Sequence, residues 1–201
     1  MITEIILATT NKYKIIEIKA ILKNINIKLI PMICFPKYPY IIEDGKTIKE
    51  NAAKKAIAAA IFFKKLALAD DSGLEVDYLK GAPGIYSKRY AGKGCTCNDN
   101  NRKLLSSLKG VPLTKRTATL KTIIAIANPN KDVFFAYGEI FGTIHTEIIG
   151  DNGFGYDSVF YIQKYKKTLS ELSHELKNSI SHRAKALNKI TNIIKKHDTG
   201  K

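Results

Sequence analysis

Cysteines are scarce in this sequence and long apolar runs are missing, and each absence argues against a class of protein. The three cysteines among 201 residues are an odd number without a Cys-x-x-Cys pair, which disfavours a disulfide framework and favours reduced thiols. Cys95 and Cys97 could form half of a metal site, but no second Cys/His pair lies near them. No apolar run reaches the roughly 18 residues of a membrane-spanning helix, and the N-terminal segment lacks the features of a signal peptide. We therefore expect a cytoplasmic protein that does not associate with membranes.

Acidic residues are also few. The 18 aspartates and glutamates stand against 33 lysines and arginines, which gives a formal net charge of +15. Such an excess attracts polyanions, including nucleic acids, anionic membranes and phosphorylated small molecules, without choosing among them. The lysines are scattered and do not form one block with interleaved aromatic residues, so a solvated basic surface is favoured over a nucleic-acid interface.

Hydrophobic periodicity predicts an α/β protein with a single domain over residues 1–201. Predicted strands cover residues 4–9, 28–31, 66–69, 117–127 and 132–145, and predicted helices cover residues 11–25, 47–66, 98–108 and 181–196. A Thr-x-x-Glu capping box opens the second helix, and Asn128-Pro129-Asn130 predicts a hairpin between the last two strands. Residues 31–45 contain three prolines and predict an extended loop.

Residues 9–14 lie where the first strand gives way to the first helix. Free backbone N–H groups at a helix N-terminus bind phosphate, and Lys14 can add a positive charge one turn into the helix. A simple N-cap by Thr10 or Asn11 explains the same residues, and from this stretch alone it is the favoured interpretation.

Two adjacent carboxylates, Asp70 and Asp71, follow the short apolar run of residues 66–69, and we expect the strand to end where they begin. Buried carboxylates are costly unless they are paired or bound to a metal, and Mg²⁺ prefers oxygen ligands of this kind. Glu43, in the loop before the second helix, is the nearest acid that could join them. Adjacent acids also occur in plain turns, so from this stretch alone both interpretations stand.

Two later stretches could contact a flat ligand. In Gly153-Phe154-Gly155-Tyr156-Asp157, the glycines let the backbone approach closely, Phe154 can stack, and Asp157 can accept hydrogen bonds from a base edge. A tight turn with a core aromatic is the structural alternative. Residues 177–183 offer a lysine, a histidine and an arginine beside helix N-terminal amides, which suits an anion or a carbonyl-bearing base. A lone histidine such as His182 is more often structural.

Six motifs follow one another along nearly the whole chain. They are Ala8-Thr9-Thr10-Asn11-x-x-Lys14-x-x-Glu17, Glu50-Asn51-Ala52, Ala69-Asp70-Asp71-Ser72-Gly73-Leu74, Gly81-Ala82-Pro83-Gly84-Ile85-Tyr86-Ser87-x-Arg89-Tyr90-Ala91-Gly92, Gly153-Phe154-Gly155-Tyr156-Asp157 and Lys177-x-x-Ile180-Ser181-His182-Arg183. With these motifs the chain resembles the inosine triphosphate pyrophosphatase family, also called Ham1-like. Their number and order make the resemblance far more specific than any single motif.

The resemblance implies a fold, an activity and a cofactor. The implied fold is a long twisted mixed sheet flanked by helices, with two lobes around a central substrate cleft, in a homodimer. The implied activity is hydrolysis of a nucleoside triphosphate between the α and β phosphates, with Mg²⁺, for purines that carry a 6-oxo group: ITP, dITP and XTP. Such an enzyme would remove deaminated purines from the nucleotide pool.

The resemblance also implies site residues, position by position. The triphosphate would be held by Thr9, Thr10, Asn11, Lys12, Tyr13, Lys14 and Lys55. Mg²⁺ would be bound by Glu43 and Asp71, and Asp71 would also accept the proton of the attacking water. Ser72 would contact the substrate. The base would be enclosed and recognised by Phe154, Gly155, Tyr156, Asp157, Lys177, His182 and Arg183.

Some positions depart from the family pattern. Thr10 stands where glycine is common, and Ser158 stands where a proline commonly follows Gly-Tyr-Asp, a change that we expect to alter loop stiffness and not the ligands. Glu43 lies in a variable loop, and the sequence leaves the role of Asp70 open. Two other functions also stay open: a less selective nucleoside triphosphate diphosphatase, and a basic nucleic-acid-binding protein.

Overall fold

The computed structural model describes residues 3–35, 38 and 41–198. The helices in this part of the chain are α1 (Lys12–Ile21), α2 (Ile48–Phe63), α3 (Cys97–Ser107), α4 (His174–Ile180) and α5 (His182–Asp198). The strands are β1 (Thr3–Leu7), β2 (Ile27–Pro31), β3 (Leu66–Val76), β4 (Pro83–Gly84), β5 (Thr117–Ala127), β6 (Val133–Ile144), β7 (Phe160–Ile162) and β8 (Lys167–Thr168). Of the predicted extended loop, Pro36 and Pro39 lie outside the described residues.

The strands form one mixed sheet in the order β2-β1-β3-β5-β6-β7-β8, with β4 paired to β3. Strand β1 runs parallel to β2 and β3, whereas β3–β4, β6–β7 and β7–β8 are antiparallel pairs. The predicted α/β fold with a mixed sheet flanked by helices is confirmed. Within the described ranges, none of the helices combines the length and apolarity that a membrane span requires.

The chain divides into two compact units. The first comprises Met1–Asp71, Thr122–Gly138 and His182–Lys201, and the second comprises Ser72–Lys121 and Glu139–Ser181.

In the first unit, successive side chains of β1 and β3 point to opposite faces of the sheet and belong to two separate hydrophobic cores. One core contains Leu7 and Leu68 together with apolar residues of α1 and α5. The other contains Ile6, Ala67 and Ala69 together with the alanines of α2. Helices α1 and α5 therefore cover one face of these strands and α2 covers the other, close to the sheet because its buried side chains are small.

In the second unit, Leu104 of α3 and Leu108, the residue that caps its C-terminus, belong to a core that includes Leu74 and Phe160. The buried guanidinium of Arg116 donates hydrogen bonds to the carbonyl oxygens of Leu108 at 2.8 Å, Val111 at 2.9 Å and His145 at 3.1 Å. These bonds hold the segment that follows α3.

The predicted end of the strand at residues 66–69 is wrong. Strand β3 continues to Val76, so Asp70 and Asp71 lie inside it. The strand continues because Leu74 and Val76 are again buried and Leu74 pairs with Gly84 of β4. The predicted hairpin strands are confirmed within one residue at their ends as β5 and β6. Helix α4 was not predicted, since its 7 residues are too few to show a helical period.

Candidate active site

Asp70 and Asp71 form the centre of a polar cluster in the first unit, and they are only 1% and 9% exposed. Successive side chains of a strand point to opposite faces. Asp70 therefore shares the face of Leu68, which α1 and α5 cover, and Asp71 shares the face of Ala69, which α2 covers. The two neighbouring acids meet different partners for this reason.

Asp70 lies in a buried ion-pair network. Its Oδ2 accepts a hydrogen bond from Nε of Arg183 at 2.9 Å, and its Oδ1 pairs with the ammonium of Lys14. Nη1 of Arg183 also donates to Oε2 of Glu17 at 2.5 Å. Burial opposes ionisation, but Arg183 and Lys14 outweigh it and hold the pKa of Asp70 well below its usual range. Asp70 is therefore a carboxylate that joins α1 and α5 to β3.

Asp71 lies beside Lys55 of α2. The Lys55 Nζ is 2.8 Å from Oδ1 of Asp71, 3.2 Å from Oε2 of Glu43 and 3.0 Å from the carbonyl oxygen of Asp70. Burial raises the pKa of Asp71 above its ordinary value, although Lys55 and Lys14 act in the opposite direction. Burial lowers the pKa of Lys55, but the attraction of Asp71 and Glu43 outweighs it, so the net pKa of Lys55 is raised.

The N-terminus of α1 is capped by Asn11. Its Oδ1 accepts hydrogen bonds from the backbone N–H groups of Tyr13 at 3.0 Å and Lys14 at 3.2 Å, and its own N–H donates to Oγ1 of Thr9 at 3.2 Å. The Nζ of Lys14 also donates to the carbonyl oxygen of Asp70 at 3.3 Å. The predicted N-cap is therefore confirmed at Asn11, and the first turn of α1 brings Lys14 to Asp70.

The residues predicted to bind Mg²⁺, Glu43 and Asp71, are brought together by Lys55, which contacts both carboxylates. Over the described ranges, no group of three or more His, Cys, Asp or Glu side chains is arranged to hold a metal ion. Two carboxylates nevertheless fit Mg²⁺, because this ion is commonly bound by one or two protein carboxylates, with waters and substrate phosphates as its other ligands.

In the second unit, the loop of residues 153–157 is built around Asp157, which is 5% exposed. Oδ2 of Asp157 accepts hydrogen bonds from the backbone N–H of Phe154 at 2.8 Å and from Nζ of Lys177 at 2.5 Å. The same ammonium lies 5.4 Å from the centre of the Phe154 ring. Gly153 has a φ of +88°, and a Cβ there would collide with Asp157 and Lys177, so glycine is required.

Tyr156 anchors this loop in the second unit. Its hydroxyl donates a hydrogen bond to the carbonyl oxygen of Ser87 at 2.8 Å, and burial raises the pKa of this phenol well above its usual range. Phe154 and Gly155, by contrast, are half-buried. The loop therefore combines a fixed interior with an accessible aromatic side chain.

The remaining predicted residues are distributed between the units. Thr10, Lys12 and Tyr13 are exposed at the start of α1 in the first unit. His182, 5% exposed, begins α5 and also belongs to the first unit, whereas Ser72 is half-buried in the second.

Sequence reasoning assigned no role to Glu17 or Asn101. Glu17 lies three residues after Lys14 on the same face of α1, where an acid within a buried apolar stripe signals an ion pair. Asn101 donates hydrogen bonds to Gly155 and Ser158, and a single asparagine in a helix gives no comparable signal.

Comparison with known proteins decides the family. The sequence pattern that defines the Ham1 family matches residues 5–193. This chain belongs to the Ham1 family. A dITP/XTP pyrophosphatase of Desulforamulus reducens is 51% identical over 191 residues, which are 95% of this chain and 95% of that protein. A dITP/XTP pyrophosphatase of Elusimicrobium minutum is 47% identical over 196 residues, which are 96% of this Ham1-family chain and 100% of that protein.

Solved structures of Ham1 proteins share the fold. The Ham1 protein of Coxiella burnetii is 39% identical, with a TM-score of 0.87, and the match covers 97% of this chain and 100% of that one. The Ham1 protein of Staphylococcus aureus is 38% identical, with a TM-score of 0.85 and the same coverage of 97% and 100%.

Replacement of Asp70 by asparagine is expected to destabilise this Ham1-family chain by about 3 kcal/mol, because it leaves Arg183 and Lys14 buried without their shared charge. Urea denaturation of the wild type and the variant measures the loss. The control is Asp151→Asn at an exposed position, which should leave the midpoint unchanged. Equal midpoints for both variants would contradict the structural role of Asp70.

Proposed function

We propose that this chain hydrolyses ITP, dITP and XTP to the nucleoside monophosphate and pyrophosphate. The observation that carries the proposal is the convergence of Lys14 and Lys55 on the Asp70–Asp71 pair, because it provides cations and a buried carboxylate for a phosphoric anhydride in one cluster. Similarity to dITP/XTP pyrophosphatases at 51% and 47% identity over nearly whole chains supports the substrate class.

In this proposal, the first unit's cluster binds the triphosphate. Side chains of Lys14 and Lys55 are 15% and 13% exposed, and both ammonium groups are held by carboxylates. They would neutralise charge on the leaving pyrophosphate, an electrostatic effect that commonly dominates phosphoryl chemistry. Thr9 and the exposed residues at the start of α1 would position the phosphates.

Glu43 and Asp71 are proposed to hold Mg²⁺. When bound, the ion would neutralise phosphate charge and polarise the phosphoryl oxygens. Asp71 is also proposed as the proton acceptor for the attacking water. Its position supports this assignment, because its Oδ1 lies 2.8 Å from Nζ of Lys55 in the cluster that would hold the phosphates.

The loop of residues 153–157 with Lys177 is proposed to recognise the base. Inosine and xanthosine present an acceptor at C6, whereas adenosine presents an amino donor there, so a site that offers hydrogen-bond donors favours the oxo form. Lys177 supplies an ammonium beside the half-buried Phe154 ring. His182 and Arg183 are assigned to the base by the family resemblance, and Arg183 also pairs with Asp70.

Pyrophosphate release from ITP, XTP, GTP and ATP in the presence of Mg²⁺ tests the proposal. Rapid release from ITP and XTP, with little from ATP, is expected, because the amino group of adenine leaves the donors of the site unpaired. Equal rates on ATP would overturn the base specificity in favour of a general diphosphatase. A lack of pyrophosphate from every substrate would overturn the enzyme activity.

Asp71→Asn is expected to lower kcat for ITP by roughly a hundredfold or more, because the amide cannot accept the proton of water. Its circular dichroism spectrum should match that of the wild type, and Asp151→Asn serves as the exposed control for activity. A variant with wild-type kcat would remove Asp71 from the mechanism.

We further propose a homodimer in the cytosol. Phe135 and Tyr137 lie on the same face of β6, and each is 36% exposed. Aromatic residues of this kind are enriched at protein interfaces. Light scattering should give twice the 22.4 kDa of one chain, and Phe135→Ser with Tyr137→Ser should shift the protein towards monomer. A wild-type protein with the mass of one chain would contradict the proposal.

A further inference from the structure

Helix α3 buries two adjacent asparagines, Asn100 and Asn101, which are 5% and 3% exposed. Asparagine is a weak helix former because its side chain competes with the backbone for hydrogen bonds, and burial of its amide is costly unless the amide is hydrogen-bonded. Two such residues on one buried helix face therefore indicate specific contacts.

Asn101 contacts the loop that carries Phe154 and Asp157. Its Nδ2 donates hydrogen bonds to the carbonyl oxygen of Gly155 at 3.0 Å and to Oγ of Ser158 at 3.1 Å. A carbonyl oxygen can only accept, so the contact with Gly155 sets the orientation of the amide. Gly155 has a φ of +66°, a conformation that favours glycine, and Asn101 ties the backbone of this residue to α3.

Ser158 gives Asn101 its second acceptor. A proline at this position would offer no hydroxyl, so the contact depends on the serine that departs from the family pattern. The backbone carbonyl of Ser158 also accepts a hydrogen bond from the N–H of Ile149 at 2.8 Å, which holds the residue on its other side. The Asn101 amide therefore bridges both ends of the segment from Gly155 to Ser158.

Asn100 makes equivalent contacts with a different loop. Its Oδ1 accepts a hydrogen bond from the N–H of Ala91 at 2.7 Å, and its Nδ2 donates to the carbonyl oxygen of Lys88 at 3.2 Å. The two asparagines thus lie on the same helix and are buried to a similar degree, but each holds a different loop.

The Oδ1 of Asn101 is buried and has no hydrogen-bond partner among the residues that the structure describes. An unsatisfied buried carbonyl destabilises a fold, and most buried polar atoms in proteins avoid it. Asn100, by contrast, uses both ends of its amide. Asn101 therefore directs its amide donor, and not its carbonyl, at the loop that carries Gly155 and Ser158.

We propose that Asn101, with Ser158, is a positioning residue that fixes the loop of residues 153–158 for discrimination of the nucleotide base. This inference rests on the proposed function, in which that loop recognises the 6-oxopurine. Asn101 touches neither the substrate nor the reacting atoms in this proposal. It acts through the backbone of Gly155.

The test compares Asn101→Asp with Asn100→Asp, which are isosteric changes of equal charge on one helix. Asn101→Asp replaces the donor by an oxygen that repels the Gly155 carbonyl oxygen, so the loop should lose its position. KM for ITP should therefore rise roughly tenfold, with a smaller change in kcat. The preference for ITP over ATP in kcat/KM should fall as well. Asn100→Asp loses its donor to Lys88 and should melt at a lower temperature, while KM for ITP stays at the wild-type value.

The outcomes separate this inference from the proposed function. An equal rise in KM for both variants would show a general loosening of α3 and overturn the inference alone. A wild-type protein that hydrolyses no triphosphate would overturn the proposed function and the inference with it. If Asn101→Asp does not fold, Ser158→Ala decides: a rise in KM for ITP supports the inference, and an unchanged KM overturns it.

Discussion

The carboxylate of Asp70 is a charge inside the core of the first unit, and the surrounding structure depends on its neutralisation. A buried charge without partners is among the most costly features that a fold can contain. Arg183 at the start of α5 and Lys14 in the first turn of α1 provide the opposite charges, and Glu17 completes the network. One acid therefore joins the first turns of two helices to β3, and the helix end at α1 is the proposed phosphate site.

Asp70 and Asp71 have different partners because successive side chains of a β-strand point to opposite faces. Asp70 points towards α1 and α5, where its charge is fully paired, and Asp71 points towards α2 and meets Lys55. The pKa of Asp70 is held low, and burial raises that of Asp71. A strongly paired carboxylate is a poor proton acceptor, whereas a carboxylate with a raised pKa is a better one. One strand thus carries a structural carboxylate and a candidate catalytic base side by side.

Local patterns predicted most of the elements, and long-range contacts account for what they missed. The helix start at Thr47 and the hairpin at residues 128–130 are local signals, and both agree with the structure, although the Glu50 carboxylate accepts from the N–H of Lys46 and not from that of Thr47. The continuation of β3 depends on its pairing with β4, and the fixed position of Gly155 depends on a helix far away in the sequence. Motif order identified the candidate residues, but the partners of Arg183 lie 113 and 166 residues away, so their identity requires the fold.

The buried ion pairs also indicate where in the molecule the net charge of +15 lies. Glu17, Asp70, Asp71 and Asp157 are buried, and each pairs with a lysine or an arginine, so the clusters they form absorb little of the positive excess. The excess must therefore lie largely on solvated side chains. A nucleoside triphosphate is a polyanion, and a positive surface raises the rate at which such a ligand arrives, an effect that salt screens. The same surface attracts any polyanion, so charge alone does not distinguish one purine base from another, and short-range hydrogen bonds are needed for that.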